Sequence, residues 1–172
     1  MPDIENTLNG PQAGTARASK DIPQISIDVA DIGDAMTVAR FVHALLAELS
    51  RGEAATIDEV FEITSRVISE ADVIAVIACL DGQPVGAMTL NECTAIYAGG
   101  KFGEISELYV DPNHRSHGIA KLLLNSAQSE AVARGWKRIE VGAPGQPDWQ
   151  RTLNFYLQNG FDEVGPRLRR LV

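Results

Sequence analysis

Two kinds of apolar pattern along the chain predict β-strands. The segment Ile25–Val29 alternates apolar and polar residues at period two, and Val73–Leu80 is a continuous apolar run typical of a strand buried on both faces. The turn residues at 81–84 join that run to a strand over 85–90, which predicts a hairpin. Further strands are predicted over 104–110, 138–141 and 161–172.

Apolar residues at helical spacing predict four helices between these strands. They cover 34–49, 56–70, 119–134 and 149–158. Asp34 is the expected cap of the first helix, and Thr56 with Glu59 matches a capping box for the second. The glycine-rich residues 97–103 predict a flexible, mobile connection between strands. This order predicts an α/β or α+β protein, a mixed sheet with helices on both faces.

Composition and length indicate a single globular domain. Residues 1–22 lack an apolar period and are expected to be a flexible tail, which leaves 23–172 as the domain. A formal net charge of −8 argues against nucleic acid as a partner. No apolar run approaches a membrane span and no secretory signal is apparent, so a cytoplasmic protein is expected. Cys79 and Cys93 are interpreted as small buried hydrophobes, and no metal is expected.

The segment 115–120 carries the strongest chemical signal. It follows a predicted strand and a turn, contains Gly118, and opens the helix that begins near Ile119. The first turn of a helix presents unpaired backbone N–H groups and the positive end of the helix dipole. A phosphate or pyrophosphate is therefore the expected ligand.

Two common nucleotide-binding motifs do not fit this loop. A Walker A loop needs two glycines followed by Lys and Ser or Thr, and only Gly118 is present here. A dinucleotide-binding fingerprint needs three glycines after the first strand, whereas this loop follows about the fourth.

The pattern that does match is Arg115-x-x-Gly118-x-Ala120, preceded by Leu108-Tyr109-Val110 and Asp111-Pro112. It resembles the acetyl-CoA loop of the GNAT superfamily of N-acetyltransferases. A second segment, Phe155-Tyr156-x-x-x-Gly160-Phe161, resembles that superfamily's segment near the end of the fold. The resemblance covers about 25–172 and implies a GNAT-like, mostly antiparallel sheet with a splayed central strand pair.

The resemblance also implies site residues. Tyr156 would protonate the departing thiolate, although an ordinary helix aromatic is the alternative. Many relatives carry Asn in the loop before the last helix; Trp149 stands there and either packs on the pantetheine arm or caps the core. The residues expected to bind acetyl-CoA are Leu108, Tyr109, Val110, Arg115, Ser116, His117, Gly118, Ile119, Ala120 and Trp149.

The acceptor amine must lose a proton, and two glutamates are candidate bases. Ile105, Leu108 and Val110 do not fit one face of a regular strand, which predicts a β-bulge between Ile105 and Leu108. Such a bulge would aim Glu107, the first candidate, into the cleft, with Glu104 second. A solvated or salt-bridged role is the alternative for both glutamates.

The predicted function is transfer of an acetyl group from acetyl-CoA directly to a primary amine, with a small-molecule amine favoured by the acidic composition. The alternatives are a protein or peptide N-acetyltransferase and a non-catalytic acyl-CoA-binding sensor. The sequence does not fix the oligomeric state, and a homodimer is one of the options.

Overall fold

A computed structural model describes residues 23–52, 55–165 and 167–170. The predicted tail, 1–22, lies outside the described residues. The strands are β1 (Ile25–Val29), β2 (Val73–Leu80), β3 (Gln83–Ala95), β4 (Gly100–Val110) and β5 (Ile139–Val141). The helices are α1 (Ala35–Leu49), α2 (Ile57–Val67), α3 (Ile119–Arg134) and α4 (Gln150–Gln158).

The strands form one mixed sheet in the order β1-β2-β3-β4-β5. The first four strands pair antiparallel, and β4 with β5 is parallel. The apolar core on one face joins the sheet to α3 and to Tyr156 of α4, and a smaller cluster joins Val38 of α1 to β2 on the other. The predicted fold class, a mostly antiparallel sheet with helices on both faces, is confirmed.

The predicted bulge is present in β4. Opposite β3, Thr89 pairs with Glu107 but the next residue, Leu90, pairs with Ile105, so Ser106 is the extra residue. An extra residue reverses the alternation of side chains. Ile105 and Leu108 can therefore both pack in the core beside α3, although they are three residues apart.

The two parallel strands separate directly after this bulge. β5 pairs with β4 only from Gly103 to Ile105 and ends at Val141, whereas β4 continues to Val110. The second half of β4 therefore has an edge that no described strand covers. The splayed pair was expected at the centre of the sheet, but it lies at the end of the strand order, because the described residues after Gly160 form no strand beside β5.

The prediction that 97–103 is a flexible connection is wrong. The turn is confined to 96–99, and β4 begins at Gly100. Gly103 is buried in β4, and a Cβ there would lie 2.5 Å from the Trp136 ring. Glycine stands at this position because the indole packs against the backbone, and a sequence pattern cannot distinguish that close approach from flexibility.

The strand predicted over 161–172 is also wrong for the residues that the structure describes. Residues 161–165 and 167–170 form no strand. Val164 and Leu168 are 83% and 90% exposed, so the described residues after Phe161 have no buried apolar face to hold them against a sheet.

The predicted helices are confirmed to within a few residues, and one cap is corrected. Thr56 and Glu59 form the capping box of α2. The Asp34 side chain makes no capping hydrogen bond to α1; it accepts one from the Asp31 N–H across a short 3-10 turn. That turn already fixes the chain direction, so the first turn of α1 starts without a side-chain cap.

Replacing Gly103 with Ala should destabilise the fold, because the new methyl group would overlap the buried Trp136 ring. We expect the free energy of unfolding to fall by about 1–3 kcal/mol, the usual cost of overpacking. Gly145→Ala is the matched control, since a Cβ there meets no atom within 4 Å. Urea denaturation measures both, and equal stability of the two variants would contradict the close packing.

Candidate active site

A cavity of about 840 Å³ opens where β4 and β5 diverge. Its volume lies within the range of about 300–1,000 Å³ usual for ligand sites. One wall is β4 from Ile105 to Val110, a second is the loop before α3, and a third is α4 with the loop preceding it. Leu45, Glu48 and Leu49 at the end of α1 complete the lining.

The loop before α3 presents unpaired backbone donors to this cavity. Gly118 is the N-cap residue of α3 with φ +83°, and Ser116 also has a positive φ of 67°. The N–H groups of the first helical turn lack intrahelical acceptors, and the first helical bond of α3 is from Leu122 N to Gly118 O. Gly118, Ile119, Ala120 and Lys121 all line the cavity, which makes this turn suited to a phosphate anion.

The uncovered edge of β4 supplies a second set of donors. The Asp111 N–H donates to Val85 O of β3 at 2.9 Å. Because successive residues of a strand direct their backbone groups to opposite edges, the N–H groups of Leu108 and Val110 point to the side that β5 has left. Both residues line the cavity, where these N–H groups can bind an oxygen atom of a ligand.

Tyr156 lies on α4 and is 7% exposed, with its ring between Phe155 and Phe161. It lines the cavity, and no described residue accepts a hydrogen bond from its hydroxyl. Burial raises the pKa of this phenol to about 12. The group is therefore protonated at neutral pH and is equipped to give a proton rather than to take one.

Trp149 and Arg151 belong to the wall formed by α4 and the loop preceding it. Trp149 occupies the N-cap position of α4, and its carbonyl accepts hydrogen bonds from Thr152 and Leu153 at 2.9 and 3.1 Å. Arg151 donates from Nη2 to Ser116 Oγ at 2.8 Å, which places a cation beside the anion-binding loop. Arg151 is not among the predicted cofactor residues, because only the folded chain brings α4 next to the loop.

Glu104 and Glu107 share one face of the sheet, and neither lines the cavity. The expectation that the bulge aims Glu107 into this cleft is therefore corrected: the extra residue turns it to the opposite face of the sheet from Ile105 and Leu108. The two glutamates pair with Asn91 and Thr89 of β3, which are two residues apart and hence on the same face. Thr89 Oγ1 donates to a carboxylate oxygen of Glu107 and accepts from its N–H at 3.2 Å. The bulge thus brings together two carboxylates that regular alternation would have separated.

The C-terminal segment contacts this acidic face. The Arg167 guanidinium lies 2.5 Å from Glu104 Oε1. Its side chain also crosses Gly142, where an added Cβ would be 3.0 Å from Arg167 Nη1. Glu104 is therefore paired with a cation, whereas the Glu107 contacts just described are with a neutral hydroxyl.

Two of the predicted cofactor residues, Arg115 and His117, have side chains that contact the protein itself. The Arg115 side chain lines the cavity, but its guanidinium donates to Val110 O at 2.8 Å and to Glu48 Oε1 at 2.7 Å. His117 is exposed outside the cavity lining, with Nδ1 3.2 Å from His114 O. The remaining predicted cofactor residues, Leu108 to Val110, Ser116, Gly118 to Ala120 and Trp149, all line the cavity.

Cys93 is the cysteine nearest to the acidic face, with Sγ 3.8 Å from Glu104 Oε2. Burial, and then the charge of Glu104, raise the pKa of the Cys93 thiol. A thiol with a raised pKa is a poor nucleophile at neutral pH. This environment favours transfer without a covalent cysteine intermediate.

Two further properties concern the described part of the chain as a whole. Within it, no group of three or more His, Cys, Asp or Glu side chains is arranged to hold a metal ion. None of its helices is both long and apolar enough to cross a membrane.

Comparison with protein-family models identifies the class. Residues 41–161 match the model of the Acetyltransferase (GNAT) family, which covers β2 to α4 and all three walls of the cavity. The chain belongs to this family and is an N-acetyltransferase enzyme. The family uses acetyl-CoA as its acetyl donor. No curated protein sequence matches the chain.

Solved structures with the same fold include enzymes with different acceptors. A ribosomal-protein-alanine N-acetyltransferase from Brucella melitensis biovar Abortus 2308 is 23% identical, with a TM-score of 0.69 over 86% of this chain and 99% of that one. An aminoglycoside acetyltransferase from an uncultured soil metagenomic sample is 18% identical, with a TM-score of 0.70 over 86% and 97%. An aminoglycoside N-acetyltransferase in complex with CoA is 15% identical, with a TM-score of 0.69 over 90% and 98%.

Two glycines at opposite ends of α3 provide a matched test of the anion site. Gly118 and Gly135 have φ of +83° and +70°, and a Cβ at either would meet no atom within 4 Å. Alanine at either position should cost about 1–2 kcal/mol of stability through left-handed strain. Only Gly118 lines the cavity, so only Gly118→Ala should weaken acetyl-CoA binding, by roughly tenfold or about 1.4 kcal/mol.

Isothermal titration calorimetry with acetyl-CoA measures this difference, and thermal melting verifies that the two variants are equally destabilised. Equal affinity of Gly118→Ala and Gly135→Ala for acetyl-CoA would contradict the assignment of the α3 N-terminus as the phosphate site.

Proposed function

We propose that this enzyme transfers the acetyl group of acetyl-CoA directly to a primary amine of a small molecule. The observation that carries the proposal is the cavity at the diverging ends of β4 and β5. Backbone donors of the α3 N-terminus lie at one part of its lining, and the buried Tyr156 phenol lies at another. Together they offer sites for a pyrophosphate and for a leaving thiolate.

The residues of the cavity suit the parts of acetyl-CoA. The N–H groups of Gly118 to Lys121 would bind the pyrophosphate, with the Arg151 guanidinium beside them. Trp149 would cover the pantetheine arm. The Leu108 or Val110 N–H would hydrogen-bond to the thioester carbonyl oxygen and stabilise the negative charge that develops there.

Transfer then requires two proton movements. The neutral amine nitrogen attacks the thioester carbonyl carbon and forms the C–N bond, and the C–S bond breaks. The sulfur takes the Tyr156 hydroxyl proton, while the proton lost by the amine goes to Glu107, directly or through one water. Glu104 is the second candidate for this base.

The charge on the face that carries these glutamates supports a small amine as the acceptor. Glu104 and Glu140 pair across β4 and β5, and the Tyr97 hydroxyl donates to Glu140 Oε2 at 3.1 Å. Arg167 and Arg138 pair with Glu104 and Glu140, which leaves Glu107 as the carboxylate of this face with no ion-pair partner among the described residues. Its charge would attract a compact cationic amine. A cytoplasmic location and a homodimer also stay predictions.

A thiol-release assay with acetyl-CoA tests the proposal against four acceptor sets: polyamines, aminoglycosides, amino acids and peptides with free N-termini. Turnover with a small amine is the expected result. Turnover with peptides alone would favour a protein acetyltransferase, and tight acetyl-CoA binding without any turnover would favour the sensor alternative. Failure to bind acetyl-CoA would overturn the donor site altogether.

Removing the Tyr156 hydroxyl should slow the reaction without weakening donor binding. For Tyr156→Phe we expect kcat to fall by roughly 10²- to 10⁴-fold, the usual contribution of a positioned acid. Because burial holds the pKa of this phenol near 12, the group stays protonated up to strongly alkaline pH. The loss should therefore be the same factor at every pH from neutral to 10, as measured by kcat–pH profiles.

Matched controls for this variant are Phe155→Leu, which alters the neighbouring ring, and the acetyl-CoA Kd of each protein. A kcat unchanged in Tyr156→Phe would reject Tyr156 as the acid.

Acceptor amines of different basicity can show which of the two glutamates is the general base. Glu107→Gln should lower kcat by roughly 10²-fold with a strongly basic amine, because the amine must be deprotonated before it attacks. An amine of low pKa is already neutral, so its kcat should be largely unaffected. In Glu104→Gln the loss of kcat should depend less on the pKa of the amine, since Glu104 is paired with Arg167.

The measurement is the slope of log kcat against amine pKa for both variants and the parent enzyme. A steeper slope in Glu104→Gln than in Glu107→Gln would reverse the assignment. Equal loss with all amines would mean that neither residue is the base.

A further inference from the structure

Glu48 is a carboxylate in the wall of a cavity that is expected to bind an anion. It lies one residue before the end of α1 and lines the cavity with Leu45 and Leu49. The last turn of a helix carries partial negative charge, and α1 has no basic residue there. A carboxylate at this place is unfavourable both for the helix and for a nearby phosphate, so its partners must offset that cost.

The partners of Glu48 are the first residue of the acetyl-CoA loop motif and a residue of β4. Glu48 Oε1 accepts from Arg115 Nη2 at 2.7 Å and from the Tyr109 hydroxyl at 3.0 Å. Arg115 donates from Nε to Val110 O at 2.8 Å, and its guanidinium lies 5.1 Å from the centre of the Tyr109 ring. Two donors therefore converge on one carboxylate oxygen.

This arrangement fixes the loop to two separate elements. The Arg115 guanidinium connects the loop to the uncovered edge of β4 through Val110 and to α1 through Glu48. The Tyr109 ring packs against the Arg115 guanidinium and also against Phe41 of α1, at 6.3 Å between ring centres. Burial and then the Glu48 hydrogen bond raise the pKa of the Tyr109 phenol to about 12, so the hydroxyl remains a donor to Glu48 at neutral pH.

We propose that Glu48 is a positioning residue for the acetyl-CoA loop, and that Arg115 acts through it as a tie to α1 rather than as the phosphate-binding cation. The inference rests on the proposed donor site. It leaves the phosphate to the backbone N–H groups of the α3 N-terminus and to Arg151, whose guanidinium lies at the other side of the loop.

Charge repulsion and loop positioning predict opposite changes in acetyl-CoA affinity when Glu48 is replaced. Glu48→Gln removes a negative charge beside an anionic ligand, so charge alone would tighten acetyl-CoA binding. Loss of the tie would loosen the loop and weaken binding. We expect the acetyl-CoA Kd to rise by roughly three- to tenfold, in line with the loss of a charge-assisted hydrogen bond at a partly exposed site.

Glu130→Gln is the matched control. Glu130 pairs with Arg134 at the far end of α3, with side-chain exposures of 34% and 32% against 32% and 38% for Glu48 and Arg115. Neither control residue lines the cavity. This control should lose a comparable ion pair while its acetyl-CoA Kd stays at the parent value.

The experiment measures acetyl-CoA Kd by calorimetry, which needs no acceptor, for the parent, Glu48→Gln, Arg115→Gln and the double variant. Positioning predicts that the two single effects are strongly non-additive, because either change removes the same tie. In steady state the acetyl-CoA KM should rise while kcat with a saturating amine changes little.

The outcomes are distinguishable from failure of the proposed function. A parent protein that does not bind acetyl-CoA would overturn both. A parent that binds, with Glu48→Gln binding equally or more tightly, would overturn the positioning role alone. Additive effects of Glu48→Gln and Arg115→Gln would likewise reject it, because Arg115 would then act on the phosphate independently.

Discussion

The structure depends on a single extra residue in β4. Ser106 has no partner of its own on β3, and its insertion changes which residues of the strand face each side of the sheet. Before the bulge β4 pairs with β5, and after it β4 continues with one edge uncovered. An unpaired strand edge is normally a liability, since its N–H and C=O groups invite another strand. Here that edge becomes the wall of a cavity.

The same insertion organises both sides of the proposed chemistry. Facing α3, Ile105 and Leu108 stay in the core and hold the strand beside the loop that carries Gly118. On the opposite face, Glu104 and Glu107 come onto one surface. The donor would thus lie along the uncovered edge with the carboxylates on the far side of the strand, so an amine could reach the thioester without displacing the donor.

Local patterns were enough to predict most of this architecture. The phase slip among Ile105, Leu108 and Val110 predicts the bulge because core residues must share a face, and the capping box at Thr56 marks the start of α2. The loop motif follows from the strand, turn and glycine that precede α3. These signals are short-range, and each is tied to a backbone geometry that few residues satisfy.

Long-range contacts were beyond the reach of the sequence. The tie between Glu48 and Arg115 joins residues 67 positions apart, and the Arg151 contact with Ser116 spans 35. A carboxylate in the last turn of α1 was the one available signal for Glu48, because it opposes the helix dipole. The sequence predicts flexibility at Gly103 for a related reason, since its neighbour Trp136 approaches only in the folded chain. The exposed C-terminal residues lack the buried face that a strand would need.

Amide hydrogen exchange with and without acetyl-CoA tests the central claim, that the uncovered edge of β4 and the first turn of α3 together bind the donor. The N–H groups of Leu108, Val110 and Gly118 to Lys121 have no described backbone acceptor and should exchange much more slowly when acetyl-CoA is bound. Amides between β2 and β3 should be unaffected. Protection confined to the α3 turn, or protection at neither place, would contradict the account.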